Sequence, residues 1–95
     1  MIETTIDYTS EKFLIIDEPV MKLAIDVLDI LNKIDKISIK GKGETCPATV
    51  SVANIITQNI LNGITKTEKI YVDSEISDDG RLISTIEIII AKISN

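Results

Sequence analysis

Apolar residues in the first third of the chain recur at the spacing of an amphipathic helix. From Val20 onward they lie three or four positions apart, and charged residues such as Lys22 and Asp26 fall on the complementary face. A repeat of this period predicts a helix that buries one face in a core. The apolar positions are Val20, Leu23, Ala24, Val27, Leu28 and Leu31.

An apolar run from Phe13 to Ile16 precedes this helix and ends at Asp17-Glu18-Pro19. Proline is favoured in the first turn of a helix, and acidic residues suit the positive end of its dipole. We therefore predict a strand over residues 13–16 that leads into the helix. Residues 1–11 show no sustained period, which predicts a loose N-terminal arm ahead of a domain over residues 12–95.

Residues 34–42 alternate between apolar and polar positions. Ile37 and Ile39 share one side, and the polar residues between them, including Ser38, share the other. This alternation predicts a half-exposed strand. Because glycines interrupt it, we expect the strand to end in a basic loop at Lys40-Gly41-Lys42-Gly43.

A second helix is predicted after this loop. Thr45 or Cys46 could cap it, Pro47 fits its first turn, and Asn62-Gly63 is a stop signal. Its apolar positions are Val50, Ala53, Ile56 and Ile60.

The last third of the chain predicts a β-hairpin. Residues 64–74 and 82–93 have strand composition, and Asp78-Asp79-Gly80 between them is typical turn chemistry. The full order is strand, helix, strand, helix, strand, strand. It predicts a single α/β domain, of the two-layer α+β kind, with a mixed four-stranded sheet and a long C-terminal hairpin.

The last strand is apolar on both faces. Leu82, Ile86 and Ile88 alternate with Ile83 and Ile89, and two helices can cover only one face of such a sheet. The surplus, together with Val52 and Ile55 on the second helix, predicts burial in a dimer interface.

Composition narrows the classes of protein that fit. The chain has 95 residues, no histidine, one cysteine (Cys46) and only 3% aromatic residues, so a single aliphatic core is expected. The lone cysteine favours a reducing, cytoplasmic setting without disulfides. We expect no membrane span and no secretory leader. Without histidine the commonest general base and metal ligand are missing, so we predict neither an enzyme nor a cofactor or metal site.

The loop residues Lys40, Lys42 and Gly43 form one candidate site. Glycine permits close backbone approach, lysine supplies charge, and a following helix N-terminus offers free N–H groups to a phosphate. A solvated turn explains the same residues. Arg81, the only arginine, lies beside the predicted hairpin turn, where an arginine can enter a minor groove. It, too, could be an ordinary surface residue.

Three segments resemble the archaeal chromatin protein family Alba. They are EPVMKLAIDVLDILN over residues 18–32, ISIKGKG over 37–43 and DGRLISTIEIIIAK over 79–92. The resemblance implies a compact dimer that lays two extended hairpins along the DNA minor groove, with sequence-independent DNA or RNA binding and genome packaging on the chromosome. It places Lys40, Lys42 and Gly43 in the family's basic loop.

The resemblance also assigns Arg81 to the family's hairpin arginine, but other family lysines are absent here. The pair before the first helix is replaced by Asp17 and Glu18, and the lysine expected near Ala48 is missing. Acetylation of the pair is therefore excluded. The whole chain carries a net charge of -5, opposite in sign to a typical nucleic-acid binder.

Several functions fit these residues. The first is a weak, salt-sensitive DNA or RNA binder that uses Lys40, Lys42 and Arg81 of a dimer. A second is an accessory subunit that forms a heterodimer with a basic paralogue and tunes its affinity. A third is a metal-assisted nuclease built on the scattered acids. Adaptation of the surface to acid or salt would also explain the negative charge.

Overall fold

The computed structural model describes residues 10–93. Within them the elements follow the predicted order, so the two-layer α+β prediction is confirmed. The strands are β1 (Ser10–Leu14), β2 (Lys36–Lys42), β3 (Thr65–Ile76) and β4 (Leu82–Lys92), and the helices are α1 (Val20–Leu31) and α2 (Cys46–Ile55). A 3₁₀ turn (Gly43–Thr45) precedes α2 and a π-helical turn (Ile56–Ile60) extends it. Ser10 and Glu11 already belong to β1, and residues 1–9 of the predicted arm lie outside the described part of the chain.

The four strands form one mixed sheet in the order β1-β2-β4-β3. β1 pairs with β2 in parallel, which requires the crossover that α1 provides. β4 lies between β2 and β3 and is antiparallel to both. β4 therefore has a neighbouring strand on each side, and its residues pair with those of β2 and β3.

Both helices pack on one face of the sheet. The core between the layers is aliphatic, and its fully buried members come from both layers. They include Leu23, Val27 and Leu31 of α1, Val52 of α2, Ile37 and Ile39 of β2, and Ile88 and Ile90 of β4. Burial of the alternating isoleucines fixes the register of the sheet, because a one-residue slip would turn them towards solvent. The opposite face of the sheet, which no helix of the described chain covers, is hereafter called the open face.

Ser38 departs from the predicted pattern. The sequence places it on the exposed side of β2, and it does lie on the open face, but only 4% of it is accessible. Its hydroxyl donates a hydrogen bond to the Glu87 carboxylate, whose other neighbour is the Lys12 ammonium 4.0 Å away. The prediction of exposure is wrong because long charged side chains from β1 and β4 cover this position.

The hairpin turn has the predicted chemistry. Gly80 has a φ of +86°, a conformation that disfavours other residues, and its N–H donates to the Ser77 carbonyl at 2.9 Å. Much of the hairpin extends beyond the helices, so that Val72, Ile76 and Leu82 are more than two-thirds exposed. No helix in residues 10–93 is long and apolar enough to cross a membrane.

Candidate nucleic-acid interface

Lys40 and Lys42 lie in strand β2 and not in a loop. Their backbones pair with β4, Lys40 opposite Glu87 and Lys42 opposite Thr85. The strand predicted over residues 34–42 therefore does extend to Lys42, and only the assignment of these two lysines to a loop is wrong, because the ladder with β4 includes both. As they are two positions apart, both side chains lie on the open face. Gly43 does leave the strand and begins the 3₁₀ turn with a φ of +54°.

Gly41, between the two lysines, is required by the close packing of α2. A Cβ atom there would lie 2.0 Å from the Thr49 Oγ1 and 2.9 Å from the Thr45 carbonyl oxygen. Thr45, the residue before α2, does not use its hydroxyl as a cap of that helix. It accepts from the Lys42 N–H at 2.9 Å and donates to the Lys42 carbonyl at 2.8 Å. These hydrogen bonds fix the backbone where Lys42 is presented.

Lys42 is already paired with a carboxylate. Its ammonium lies 2.8 Å from the Glu75 Oε1, so the pair bridges from β2 to β3 over the central strand β4. The hydrogen bond and charge of Lys42 hold the pKa of Glu75 below its ordinary value. Glu75 is therefore ionised at neutral pH, and a phosphate that binds Lys42 must displace it. About half of each side chain remains exposed to solvent, which keeps the exchange possible.

Arg81 is paired in the same way at the hairpin tip. Its Nε lies 3.1 Å from the Asp79 Oδ2, although 82% of the arginine side chain is exposed. The Ser77 hydroxyl, which donates to Asp79, is the main cause that lowers the pKa of this carboxyl. The arginine is accessible to a large ligand, and its charge is partly neutralised by its neighbour.

The backbone carbonyl of Lys40 accepts from the Ile15 N–H at 2.8 Å, and its ammonium forms no ion pair among residues 10–93. Lys40 lines an open groove of about 380 Å³ on the open face, whose other members come from β3 and β4. They are Tyr71, Asp73, Ser74, Glu75, Thr85 and Glu87. The charge of Lys40 therefore faces three carboxylates of the groove without a salt bridge to any of them.

The structure brings together three of the four predicted site residues and places the fourth at a distance from them. Lys40, Lys42 and Gly43 are adjacent at the end of β2. Arg81 lies four residues before Thr85, the partner of Lys42, which amounts to roughly 13 Å along β4. One subunit therefore offers a pair of lysines and a distant arginine, a spacing suited to an extended polymer rather than to a single small anion.

The acids that replace the family's lysines occupy the region before α1. Asp17 is exposed, and Glu18 forms an ion pair with Lys22, with 3.3 Å between the Glu18 Oε2 and the Lys22 Nζ. Ala48 is half-buried in α2 and packs against the core. This end of the domain therefore offers no cation at those three positions.

The carboxylate of Glu75 was not recognised as part of the site from sequence, and neither was Tyr71. Glu75 is 33 positions from Lys42, so only the sheet register reveals their ion pair. The alternation of Lys69, Tyr71, Asp73 and Glu75 in β3 was the available signal, because it assigns all four side chains to one face. No group of three or more histidine, cysteine or acidic residues among residues 10–93 could hold a metal ion.

A two-layer α+β domain with an extended hairpin, lysines at the end of its second strand and an arginine at the hairpin tip can contact a long anionic ligand. The family model named Alba matches residues 14–74. The chain belongs to the Alba family, whose members bind nucleic acids.

Two solved structures are similar to this chain. Alba from Thermoplasma volcanium is 30% identical, with a TM-score of 0.71, and the match covers 84% of this chain and 98% of that one. ALBA1 from Trypanosoma brucei is 14% identical, with a TM-score of 0.69, over 95% of this chain and 74% of that one. The second comparison supports the fold alone.

Proposed function

We propose that this chain binds DNA or RNA weakly, without sequence specificity and with strong dependence on salt, and that it acts by binding and not by catalysis. The observation that carries this proposal is the placement of Lys42 and Arg81 on exposed positions, and of Lys40 on a half-buried one, of an Alba fold. Phosphate contacts by such cations supply affinity but no sequence information. Packaging of DNA on an archaeal chromosome, in the cytoplasm, is the role that follows.

A dimer is part of this proposal. The hairpin leaves Ile70, Val72, Ile76 and Leu82 more than half exposed, an apolar surface larger than a monomer of this size needs. A partner subunit that covers it would also double the number of cations that one DNA molecule can contact. Either a second copy or an Alba paralogue would serve.

The test is fluorescence-anisotropy titration of duplex DNA at low salt, with the wild type and with R81A and K42A. Each variant should weaken binding and make the plot of logarithmic affinity against logarithmic salt concentration less steep. The magnitude of the slope should fall by roughly 0.9 for each duplex phosphate that is no longer neutralised. The matched control is K33A, which removes one charge at the C-terminal end of α1, away from the hairpin. Equal affinity of R81A, K42A and K33A would contradict the assignment of the site.

A second candidate function is that of an accessory subunit that tunes the affinity of a basic partner. The specific observation in its favour is that Lys42 and Arg81 are each neutralised by a carboxylate, Glu75 and Asp79. Such a subunit would retain the fold and the interface but neutralise few phosphates.

Native mass spectrometry of this chain mixed with a basic Alba paralogue distinguishes the two candidates. The accessory role predicts a mixed dimer that binds duplex DNA more weakly than the paralogue's own homodimer. If only homodimers form, the accessory role is excluded.

A further inference from the structure

The open face of the sheet carries charge of the opposite sign to the whole chain. Strand register and ion pairs assign six lysines and four carboxylates to it, which gives this face a net charge of +2 against -5 for the chain. The lysines are Lys12, Lys36, Lys40, Lys42, Lys66 and Lys69, and the acids are Glu68, Asp73, Glu75 and Glu87. Of the nine lysines in the sequence, six are therefore gathered on the face that no helix covers in the described chain.

Most carboxylates on this face are already engaged. Glu68 pairs with Lys36 at 3.0 Å and Glu75 with Lys42 at 2.8 Å, while Glu87 accepts from Ser38 and faces Lys12. Lys40, Lys66 and Lys69, in contrast, have no ion-pair partner among residues 10–93, and Asp73 is the one carboxylate of the face without one. Two of these three lysines, Lys40 and Lys69, flank one position in β3.

That position is Tyr71. It stands in the same cross-strand row as Lys40, with Glu87 between them, and two residues after Lys69 on the same face. The ring is 48% exposed in the groove that Lys40 also lines. Phe13, the other aromatic residue of the described chain, packs against the core instead.

An exposed aromatic ring between cations on a sheet has a specific chemical use. Nucleobases of a single strand stack on such a ring, and neighbouring cations hold the backbone phosphates. Paired bases of a duplex present no free ring face for this interaction.

From these observations we infer that the open face, which presents Lys40 and Lys42 to a duplex, also binds single-stranded RNA or DNA by stacking a base on Tyr71 between Lys40 and Lys69. This inference rests on the proposed function and extends it to a different ligand. Arg81 at the hairpin tip would contact duplexes, and the open face would hold unpaired strands as well.

The experiment compares Y71A with the control T67A in anisotropy titrations at low salt. Thr67 also belongs to β3, is exposed and lies on the opposite face, where it pairs with Ile90, so T67A trims the same edge strand without touching the groove or the apolar dimer surface. The probes are labelled oligouridylate, oligothymidylate and a DNA duplex of equal length. Y71A should weaken single-strand binding about tenfold, leave duplex binding unchanged, and be rescued by Y71F. The two single strands establish whether RNA or DNA is preferred.

The outcomes separate this inference from the proposed function. Single-strand affinity of Y71A within twofold of T67A would overturn the inference, while a loss of duplex binding in R81A would still support the hairpin site. Single-strand binding that needs Tyr71, with no duplex binding in the wild type, would sustain the inference and refute the hairpin site. Tyr71-dependent binding of a labelled oligoarginine peptide, without single-strand binding, would assign the groove to a basic protein segment and overturn the inference.

Discussion

On the proposed function, single residues would set how strongly this domain binds, because two of the proposed cations have internal competitors. Glu75 occupies the ammonium of Lys42, and Asp79 occupies the guanidinium of Arg81. The free energy of such exposed pairs is small, so a polyanion can displace them at low salt. Substitution of either carboxylate should therefore raise the affinity for a polyanion.

E75Q should increase affinity for duplex DNA by roughly two- to fivefold, since it frees Lys42 and removes a charge that repels phosphate. The measurement is an anisotropy titration at low salt. D26N is the matched control, because Asp26 pairs with Lys22 at 3.1 Å on α1 and its substitution changes the net charge equally. A similar gain in both variants would show that overall charge, and not the release of Lys42, sets the affinity.

The advantage of E75Q should depend on pH in a defined direction. Lys42 lowers the pKa of Glu75 in the folded protein, so the ion pair is complete above the ordinary glutamate pKa and is lost as pH falls through the lowered value. We expect E75Q to bind more tightly than the wild type at pH 7 and equally once Glu75 is protonated. Titrations of both proteins from pH 7 down to about pH 3, at constant ionic strength, measure this ratio, which should fall only below the ordinary glutamate pKa. A ratio that does not change with pH would contradict the competition.

Gly41 is the residue whose replacement should most directly disturb the presentation of the lysines. G41A places a methyl group against Thr49 and the Thr45 backbone, which should cost about 1–3 kcal/mol of unfolding free energy. Urea denaturation measures the loss. The double variant G41A/T49A should recover part of it, because one of the two clashes is relieved. Full stability of G41A would mean that α2 does not pack as closely on β2 as described.

At the scale of elements, the hairpin turn controls how Arg81 is presented. G80A should destabilise the turn by roughly 1–2 kcal/mol, because alanine disfavours the positive φ of this position. G80N is the control, since asparagine tolerates that conformation. We expect G80A, but not G80N, to weaken duplex binding, as measured by anisotropy alongside thermal unfolding. Equal duplex affinity of G80A and G80N would show that the geometry of the turn does not affect binding.

Helices and strands of this chain follow from local patterns, which is why their order was predictable. Residues that are close together in the sequence determine both the period of α1 and the Asp78-Asp79-Gly80 turn. The end of β2 was not predictable in this way. Glycine at position 41 indicates a loop, yet it serves to admit α2, and the ladder continues to Lys42 because β4 supplies partners from far along the chain.

The candidate site was predictable only in part, for the same reason. Lys40, Lys42 and Arg81 are conspicuous in a chain with few cations, but the pairing of Lys42 is a matter of sheet register. Glu75 reaches Lys42 across β4, and Ser38 is covered by residues from two other strands. Interactions between positions about thirty or more residues apart leave no local pattern in one sequence.

For the molecule as a whole, the distribution of charge matters more than its sum. The chain is acidic, yet its open sheet face is net positive, so the excess of acids lies elsewhere. This polarity would orient the domain with its sheet towards a polyanion at low salt, when the screening length is long. Binding by so few cations should disappear at moderate ionic strength.

The salt dependence of duplex binding is the most direct test of the account, measured by anisotropy for the wild type and for the K42A/R81A double variant. If a dimer uses Lys40, Lys42 and Arg81 of each subunit, the plot of logarithmic affinity against logarithmic salt concentration should have a slope no steeper than about -5. The double variant should show a much flatter slope and lower affinity. Absence of binding at the lowest salt, or identical curves for both proteins, would contradict nucleic-acid binding through these residues.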